Sequence, residues 1–292
     1  MYKVLSFYKY VDIENPEAFV NEHLQWCISN GLKGKVYIAG EGINGCIFGD
    51  EEKTELYKSH LTGYKIFEDI WFKETDTDKV AYSKMHVRLK KEIVNSGLNA
   101  DLKNGGKKLS PEELLKFYEE GKDFLIVDAR NWYESKIGRF KNALTPNITY
   151  FRQWPEVVES LKPYKDKTII TYCTGGIRCE KASAYMVEQG FKDVYQLNGG
   201  IINYITKYPD TYWQGSMFVF DDRKVVEPNT KEELKYAAEC EFCGGPTSYY
   251  INCHNLKCDR IIITCHECKI KNDYCCSDEC RNSEFKRAKY SG

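Results

Sequence analysis

The sequence lacks both a long apolar run and a marked excess of charge of either sign. No hydrophobic stretch approaches the roughly 18–20 residues needed to span a bilayer, so we expect no membrane insertion. The N-terminal stretch, MYKVLSFYKYVDIENPEAF, has neither the apolar core nor the cleavage site of a signal peptide, and we therefore expect a cytoplasmic location. The formal net charge of −1 means that any polyanion site must be a local patch.

The sequence also lacks the motifs of common redox cofactors. It contains no dinucleotide-binding glycine pattern and no flavin or haem motif. No set of two histidines and a carboxylate stands out in the sequence as an iron site. Internal repeats and low-complexity segments are absent too. A redox reaction would therefore depend on other reactive groups.

Cysteine, in contrast, is plentiful, with 13 residues in a chain of 292. In a cytoplasmic protein these thiols are expected to be metal ligands or reactive groups rather than disulfides. Nine lie between Cys240 and Cys280, and two flank a short loop at Cys173 and Cys179. The two isolated ones, Cys27 and Cys46, are interpreted as small buried hydrophobic residues.

Residues 1–95 are predicted to form a ferredoxin-like α+β domain, because strand and helix patterns follow one another in the order β-α-β-β-α-β. The last predicted strand is YSKMHVRLKKEIV. Its period of two directs Met85, Val87 and Leu89 to the core. The basic residues between them lie on the other face: His86, Arg88 and Lys90. That face is either an ordinary solvated surface or a contact surface for RNA phosphates.

The remaining chain is predicted to hold two further domains. The polar residues 96–108 are interpreted as a linker, and residues 109–215 alternate continuous apolar strands with helices. Such strands are typical of a parallel sheet that is covered on both faces. Residues 216–235 are predicted to be a second linker, and residues 236–292 a small cysteine-rich domain. The predicted fold class is therefore α/β with two flanking domains.

The segment YCTGGIRC places a thiol between a strand and a helix. Cys173 ends the predicted strand TIITYC, and the loop after it comprises Thr174, Gly175, Gly176, Ile177 and Arg178. Reactive groups in open α/β sheets gather at the carboxyl ends of strands. The loop amides, the helix N-terminus and Arg178 should stabilise a sulfur anion and lower the pKa of Cys173. We therefore predict covalent catalysis by this thiol.

The C-terminal thiols are spaced like metal ligands. Eight of them are predicted to bind two structural zinc ions: Cys240, Cys243, Cys253, Cys258, Cys265, Cys268, Cys276 and Cys280. Pairs separated by two to four residues can present both sulfurs to one tetrahedral ion. The pairing stays open between a sequential arrangement and an interleaved one, in which Cys240, Cys243, Cys265 and Cys268 share a site. One of the adjacent Cys275 and Cys276 is spare.

Three segments of the central domain resemble the rhodanese superfamily. CTGGIR resembles its six-residue active-site loop, and VYQLNGGIINY resembles its closing glycine element. DARNWYESKIGRFKNAL is similar to its upstream element at Asp128, Arg130, Glu134, Gly138 and Ala143. It departs from that element at Ser135, Arg139, Phe140 and Asn142.

The string YCTGGIRCEKASA, with GEGING in the first domain and the cysteine-rich tail, resembles a narrower family, the rhodanese-related tRNA uridine hydroxylases. The resemblance covers essentially the whole chain. It implies an oxidoreductase that uses O2 and a further reductant to convert the wobble uridine, position 34 in the anticodon region of tRNA, to 5-hydroxyuridine. The alternative is a rhodanese-type sulfurtransferase that carries a cysteine persulfide for thiosulfate metabolism or tRNA thiolation. A non-enzymatic zinc and RNA adaptor is a third possibility, which the two loop cysteines and Arg178 argue against.

Within the loop, Cys173 is the nucleophile by superfamily position, with a persulfide as its first expected form. Cys179 is then essential in its own right or resolves an adduct on Cys173. Arg178 would hold the anionic adduct or a substrate phosphate. Attack of a thiolate at C6 of uridine, which would make C5 nucleophilic toward activated oxygen, is a further hypothesis. Asp128 and Arg130 are interpreted as an ion pair that braces the loop, and Lys181 as a solvated residue.

Overall fold

The protein is described by a computed structural model of residues 1–228, 233 and 235–287. The second predicted linker and the predicted C-terminal domain therefore each include residues outside the described part. No helix in the described ranges is long and apolar enough to cross a membrane.

The N-terminal domain is an α+β sandwich. Its elements are β1 (Tyr2–Tyr10), α1 (Pro16–Ser29), β2 (Lys33–Ala39), β3 (Gly42–Gly49), α2 (Glu51–Thr62), β4 (Phe72–Thr77) and β5 (Met85–Leu89). The sheet order is β4-β1-β3-β2-β5, and the first four strands have the antiparallel ferredoxin-like arrangement. Both helices begin at side-chain caps, Asn15 for α1 and Asp50 for α2. The predicted ferredoxin-like fold is confirmed.

The assignment of its last strand was wrong. The segment at Met85–Leu89 is not the final strand of the ferredoxin-like unit, because β4 takes that place beside β1. Its sequence, FKETDT, contains only one apolar residue and gives no alternating signal. The strand β5 instead pairs in parallel with β2 at the opposite edge. Because an edge strand is covered only in part, Val87 is buried while Leu89 is 42% exposed.

The central domain contains a four-stranded parallel sheet. Its elements are β6 (Lys107–Leu109), α3 (Pro111–Glu119), β7 (Leu125–Asp128), α4 (Trp132–Ile137), β8 (Gly138–Phe140), α5 (Trp154–Ser160), β9 (Thr168–Tyr172), α6 (Ile177–Glu188), β10 (Asp193–Leu197), α7 (Gly200–Lys207) and β11 (Trp213–Gly215). The sheet order is β6-β10-β9-β7. Ile169 joins the core on one face and its neighbour Ile170 the core on the other. This explains the continuous apolar sequence of β9 and confirms a sheet covered on both faces.

Both predicted linkers contain regular structure. Strand β6 begins at Lys107, inside the segment interpreted as the first linker. The second contains a hairpin of β12 (Met217–Phe218) and β13 (Val225–Val226). The Phe218 ring stacks on Tyr250 at 4.7 Å and packs against Ile137, so this hairpin joins the central domain to the tail.

The tail itself has little regular structure. It contains β14 (Tyr250–Asn252), β15 (Ile261–Ile263), α8 (His266–Lys271) and α9 (Asp278–Arg281). The two strands form an antiparallel hairpin. Its small apolar core includes Ile251, Ile262 and the buried thiols of Cys253, Cys275 and Cys280. So few apolar residues stabilise a fold weakly, which makes the sulfur clusters described below important for it.

Candidate active site and metal centres

The loop after β9 is closed around the sulfur of Cys173. Gly176 caps α6 with a left-handed φ of 100°, and its amide N–H donates to Cys173 Sγ at 3.2 Å. The carbonyls of Cys173 and Thr174 accept from the amides of Ile201 and Ile202, in the first turn of α7, at 3.0 and 3.1 Å. A Cβ on Gly200 would lie 2.4 Å from the Cys173 carbonyl oxygen. The loop therefore depends on glycine at the N-cap of α6 and at the first residue of α7.

The two loop thiols are both buried but differ in ionisation. Burial alone would raise the pKa of Cys173, but the hydrogen bond from Cys179, the charge of Arg178 and the amides of residues 179 and 178 together lower it to about 6. Burial, and then the hydrogen bond to Cys173, raise the pKa of Cys179 well above its ordinary value. At neutral pH the pair is therefore a Cys173 thiolate that accepts a hydrogen bond from a Cys179 thiol. This agrees with the predicted anionic state of Cys173.

Arg178 is engaged by a carboxylate. Its Nη1 and Nη2 donate to the two oxygens of Glu134, each at 2.7 Å, and Glu134 is fully buried. Nη2 also lies 3.4 Å from Thr174 Oγ1. The donors with which Arg178 was expected to bind an anion thus hold the loop against α4. The sequence motif includes Glu134, but the motif alone does not indicate this contact with Arg178.

A second buried ion pair braces the neighbouring strand. Arg130 Nη2 lies 2.6 Å from Asp128 Oδ2 and donates to the carbonyl of Gly138, also at 2.6 Å. Both charged side chains are fully buried. They join the end of β7 to the start of β8, as expected for a structural pair.

Lys181 joins the first two domains. It is only 4% exposed, and its Nζ lies 2.8 Å from carboxylate oxygens of both Glu41 and Glu92. The expectation that it is solvated is wrong. Glu41 belongs to GEGING and Lys181 to RCEKASA. The two sequence strings therefore meet in an ion pair between domains, which also explains why Tyr8 of β1 can donate to Glu180 of α6 at 2.9 Å.

The loop opens into a cleft of 710 Å³ between the N-terminal domain, the central domain and the β12–β13 hairpin. Cys173, Thr174, Gly175, Ile177 and Arg178 line its central-domain side. The cationic side chains on its walls are Lys35, Lys73, Lys90, Lys91, Arg178 and Arg223. Aromatic side chains accompany them: Phe7, Tyr8, Tyr37, Tyr82, Tyr150, Phe151 and Phe220.

The three basic residues predicted to share one face of a strand do not all line this cleft. Lys90 lines it, whereas His86 and Arg88 lie outside its lining. Cys27 is fully buried in the N-terminal core, as expected. Cys46 departs from that expectation, because it is half-buried and lines the cleft.

The C-terminal sulfurs form two groups of four. Cys240, Cys243, Cys265 and Cys268 make one, and Cys253, Cys258, Cys276 and Cys280 the other, with all sulfurs in a group within 4.8 Å of one another. The closest sulfur pairs lie 3.6–3.9 Å apart. A zinc–sulfur bond of about 2.3 Å gives a tetrahedron with edges of about 3.8 Å, whereas a disulfide bond is about 2.05 Å long. Both groups could therefore hold a tetrahedral metal ion, in the interleaved arrangement, with Cys275 spare.

The fold and the loop define a class of protein. A thiolate at the carboxyl end of a parallel strand, surrounded by loop amides and an arginine, is the site of a rhodanese-like domain. Family models agree: the UPF0176 acylphosphatase like domain matches residues 2–93, the rhodanese-like domain residues 110–207 and the rhodanase C-terminal model residues 214–281.

Comparison with whole proteins narrows this class. A tRNA uridine(34) hydroxylase of Staphylococcus carnosus (strain TM300) is 43% identical and aligns with 98% of this chain and 92% of its own length. Another, from Staphylococcus aureus (strain Newman), is also 43% identical and aligns with 98% of this chain and 91% of its own length. The chain belongs to the family of tRNA uridine(34) hydroxylases. A crystal structure of a rhodanese-like domain protein from Staphylococcus aureus is 26% identical, covers 34% of this chain and 90% of its own, and has a TM-score of 0.29.

Proposed function

We propose that this protein hydroxylates C5 of the wobble uridine, position 34, in the anticodon region of cytoplasmic tRNA. The observation that carries the proposal is the Cys173 thiolate in a cleft with cationic and aromatic walls, in a chain 43% identical to proteins of that name. The overall reaction consumes O2 and two electrons from a reductant. One oxygen atom enters the uridine and the other leaves as water.

The cleft suits a single extruded nucleotide. Recognition of single-stranded RNA relies on splayed bases that stack on aromatic rings, while cationic side chains follow the phosphates. Tyr37, with the Nζ atoms of Lys35 and Lys90 at 5.2 and 5.0 Å from its ring centre, combines both features at one wall. We assign Lys90 to a phosphate of the anticodon loop. His86 and Arg88, on the same strand, would extend this surface beyond the cleft.

Within the cleft the Cys173 thiolate would add to C6 of the uracil ring. A sulfur–C6 bond forms, the electrons of the C5–C6 double bond move into the ring, and C5 becomes nucleophilic toward activated oxygen. Loss of the C5 proton and departure of the thiolate restore the double bond. Cys179, protonated and hydrogen-bonded to Cys173, stabilises the departing thiolate or resolves an adduct on it. The sulfurtransferase alternative would instead place a persulfide on Cys173.

We assign zinc to the two cysteine groups, because four sulfurs at tetrahedral spacing suit that ion and leave no position for water. These sites would be structural. They would stabilise the tail, which packs through Tyr250 against the β12–β13 hairpin that lines the cleft. The predicted division of the chain into residues 1–95, 109–215 and 236–292 then separates an RNA-binding wall, a catalytic domain and a zinc-stabilised support.

The test is nucleoside mass spectrometry of tRNA from cells that lack this protein. Wild type should restore 5-hydroxyuridine and its derivatives, and Cys173→Ala should not. Cys27→Ala is the matched control, because it removes a buried thiol from the N-terminal core, away from the cleft. Unchanged hydroxyuridines with depleted thiolated nucleosides would favour the sulfurtransferase. The purified protein should form a covalent adduct with tRNA that carries 5-fluorouridine at position 34, and the Cys173→Ala variant should not.

A further inference from the structure

Lys73 is a buried cation in the cleft, and the described part of the chain gives it no anionic partner. It lies on β4 and is only 6% exposed. Within residues 1–228, 233 and 235–287 its Nζ takes part in no ion pair and donates no hydrogen bond. The other buried lysines do have polar partners: Lys181 has Glu41 and Glu92, and Lys269 has the hydroxyl of Tyr249. A buried ammonium without a partner is unfavourable, so its presence calls for a functional reason.

Aromatic rings surround this ammonium. Its Nζ lies 5.0 Å from the ring centre of Tyr8 and 4.8 Å from that of Trp71. These rings attract a cation but cannot replace the hydrogen bonds that it loses to water. The titratable groups whose charges act on it are Cys46 on β3, Cys173 in the loop, Lys108 on β6 and Glu180 on α6. Burial dominates and lowers the pKa of Lys73 to about 8.

Lys73 also reaches the reactive loop. Its Cε lies 3.7 Å from the position that a Cβ on Gly175 would occupy. Lys90 and Lys91, in contrast, are exposed residues of the same cleft. A nucleotide whose base enters the cleft keeps its phosphate near these exposed lysines. The group that comes within reach of Lys73, beside Cys173, is then the base.

We propose that Lys73 is a catalytic residue whose ammonium donates to O4 of the target uracil. This role rests on the proposed function. When the thiolate of Cys173 adds to C6, the electron pair of the C5–C6 double bond moves through C4 to O4. The ammonium stabilises the negative charge that forms on this oxygen, by a hydrogen bond or by transfer of its proton. Elimination of the thiolate reverses the shift and returns the proton to the amine.

The test compares Lys73→Met with Lys162→Met, which removes an exposed lysine that does not line the cleft. Both are expressed at matched levels in cells that lack the native protein, and the rate at which 5-hydroxyuridine appears is measured. Loss of a preorganised oxyanion donor lowers rates by about 100-fold or more, and we expect a loss of that order for Lys73→Met. Lys162→Met should match wild type. A rate within about threefold of wild type for Lys73→Met would overturn the proposal.

Stability separates a catalytic role from a structural one. Because Lys73→Met removes a buried charge that no described carboxylate compensates, the melting temperature of the purified variant should equal or exceed that of wild type. Adduct formation with 5-fluorouridine-substituted RNA should rise with pH in both proteins. In wild type alone it should fall again above about pH 8, as the ammonium loses its proton. A lower melting temperature that accounts for the loss of activity would contradict the assignment.

A binding measurement distinguishes a contact of Lys73 with the base from a contact with a phosphate. For purified Lys73→Met, the slope of log affinity for an anticodon stem–loop against log salt concentration should equal that of wild type. For Lys90→Met the magnitude of this slope should fall by the amount that corresponds to about one phosphate contact. A reduced slope for Lys73→Met would make Lys73 a phosphate ligand and refute the contact with O4. If wild type itself fails to restore 5-hydroxyuridine, the proposed function fails, which is a different result from normal activity in Lys73→Met.

Discussion

The bidentate contact between Glu134 and Arg178 should make the central domain sensitive to a single substitution. Both oxygens of Glu134 accept hydrogen bonds of 2.7 Å, and the two side chains are 0% and 9% exposed. With so little water to screen the charges, removal of one partner leaves an uncompensated buried charge, which costs about 3–5 kcal/mol. Glu134→Gln keeps the shape and one acceptor oxygen. We therefore expect a loss near the lower end, about 3 kcal/mol of unfolding free energy.

Urea unfolding followed by tryptophan fluorescence would measure this loss, since Trp132, Trp154 and Trp213 all lie in the central domain. With a slope of about 2 kcal/mol per molar urea, the midpoint should fall by about 1.5 M. The double variant Glu134→Gln/Arg178→Met removes both charges and should regain part of the stability lost by Arg178→Met alone. A loss below about 1 kcal/mol for Glu134→Gln, with no recovery in the double variant, would refute a desolvated pair.

Two further predictions concern the thiols. The difference in thiolate absorbance between wild type and Cys173→Ala should titrate with a midpoint near pH 6. The Cys179→Ala substitution should move this midpoint upward, because it removes a hydrogen-bond donor to the thiolate. A wild-type midpoint near pH 9 would contradict the loop electrostatics. The purified protein should release two zinc ions to a chelator, with loss of tail structure. Cys253→Ser should bind about one ion fewer, whereas Cys275→Ser should keep both, and equal losses would contradict the grouping.

Several features of the site could be inferred from contiguous residues. A strand that ends in Cys173, a glycine-containing loop and a helix start place amides and Arg178 around one sulfur by local geometry alone. The spacing of the tail cysteines likewise predicts that they are metal ligands, because a tight turn brings both members of a pair to one ion. The choice between interleaved and sequential pairing needed the tertiary structure. It depends on how the segments that carry Cys240, Cys253 and Cys265 pack together.

Polar edge segments were the main source of error. Strand β4 was overlooked because FKETDT has no apolar alternation, and β5 was given its place. Edge strands need to be covered on few sides, so their sequences retain little periodic signal. The β12–β13 hairpin lies in a segment predicted to be a linker. It packs against Ile137 and Tyr250, which are distant in the chain, so the local sequence does not indicate these contacts.

Contiguous residues were enough to predict a thiolate in a rhodanese-type loop and eight sulfurs spaced as metal ligands. These properties depend on neighbours within a few residues of one another. Tertiary structure alone decided which charges are paired. Arg178 is held by Glu134 and Lys181 by Glu41 and Glu92, while Lys73, beside the loop, has no carboxylate partner among the residues that the structure describes. Charges interact through space, and the partners of a buried charge come from parts of the chain that only folding brings together.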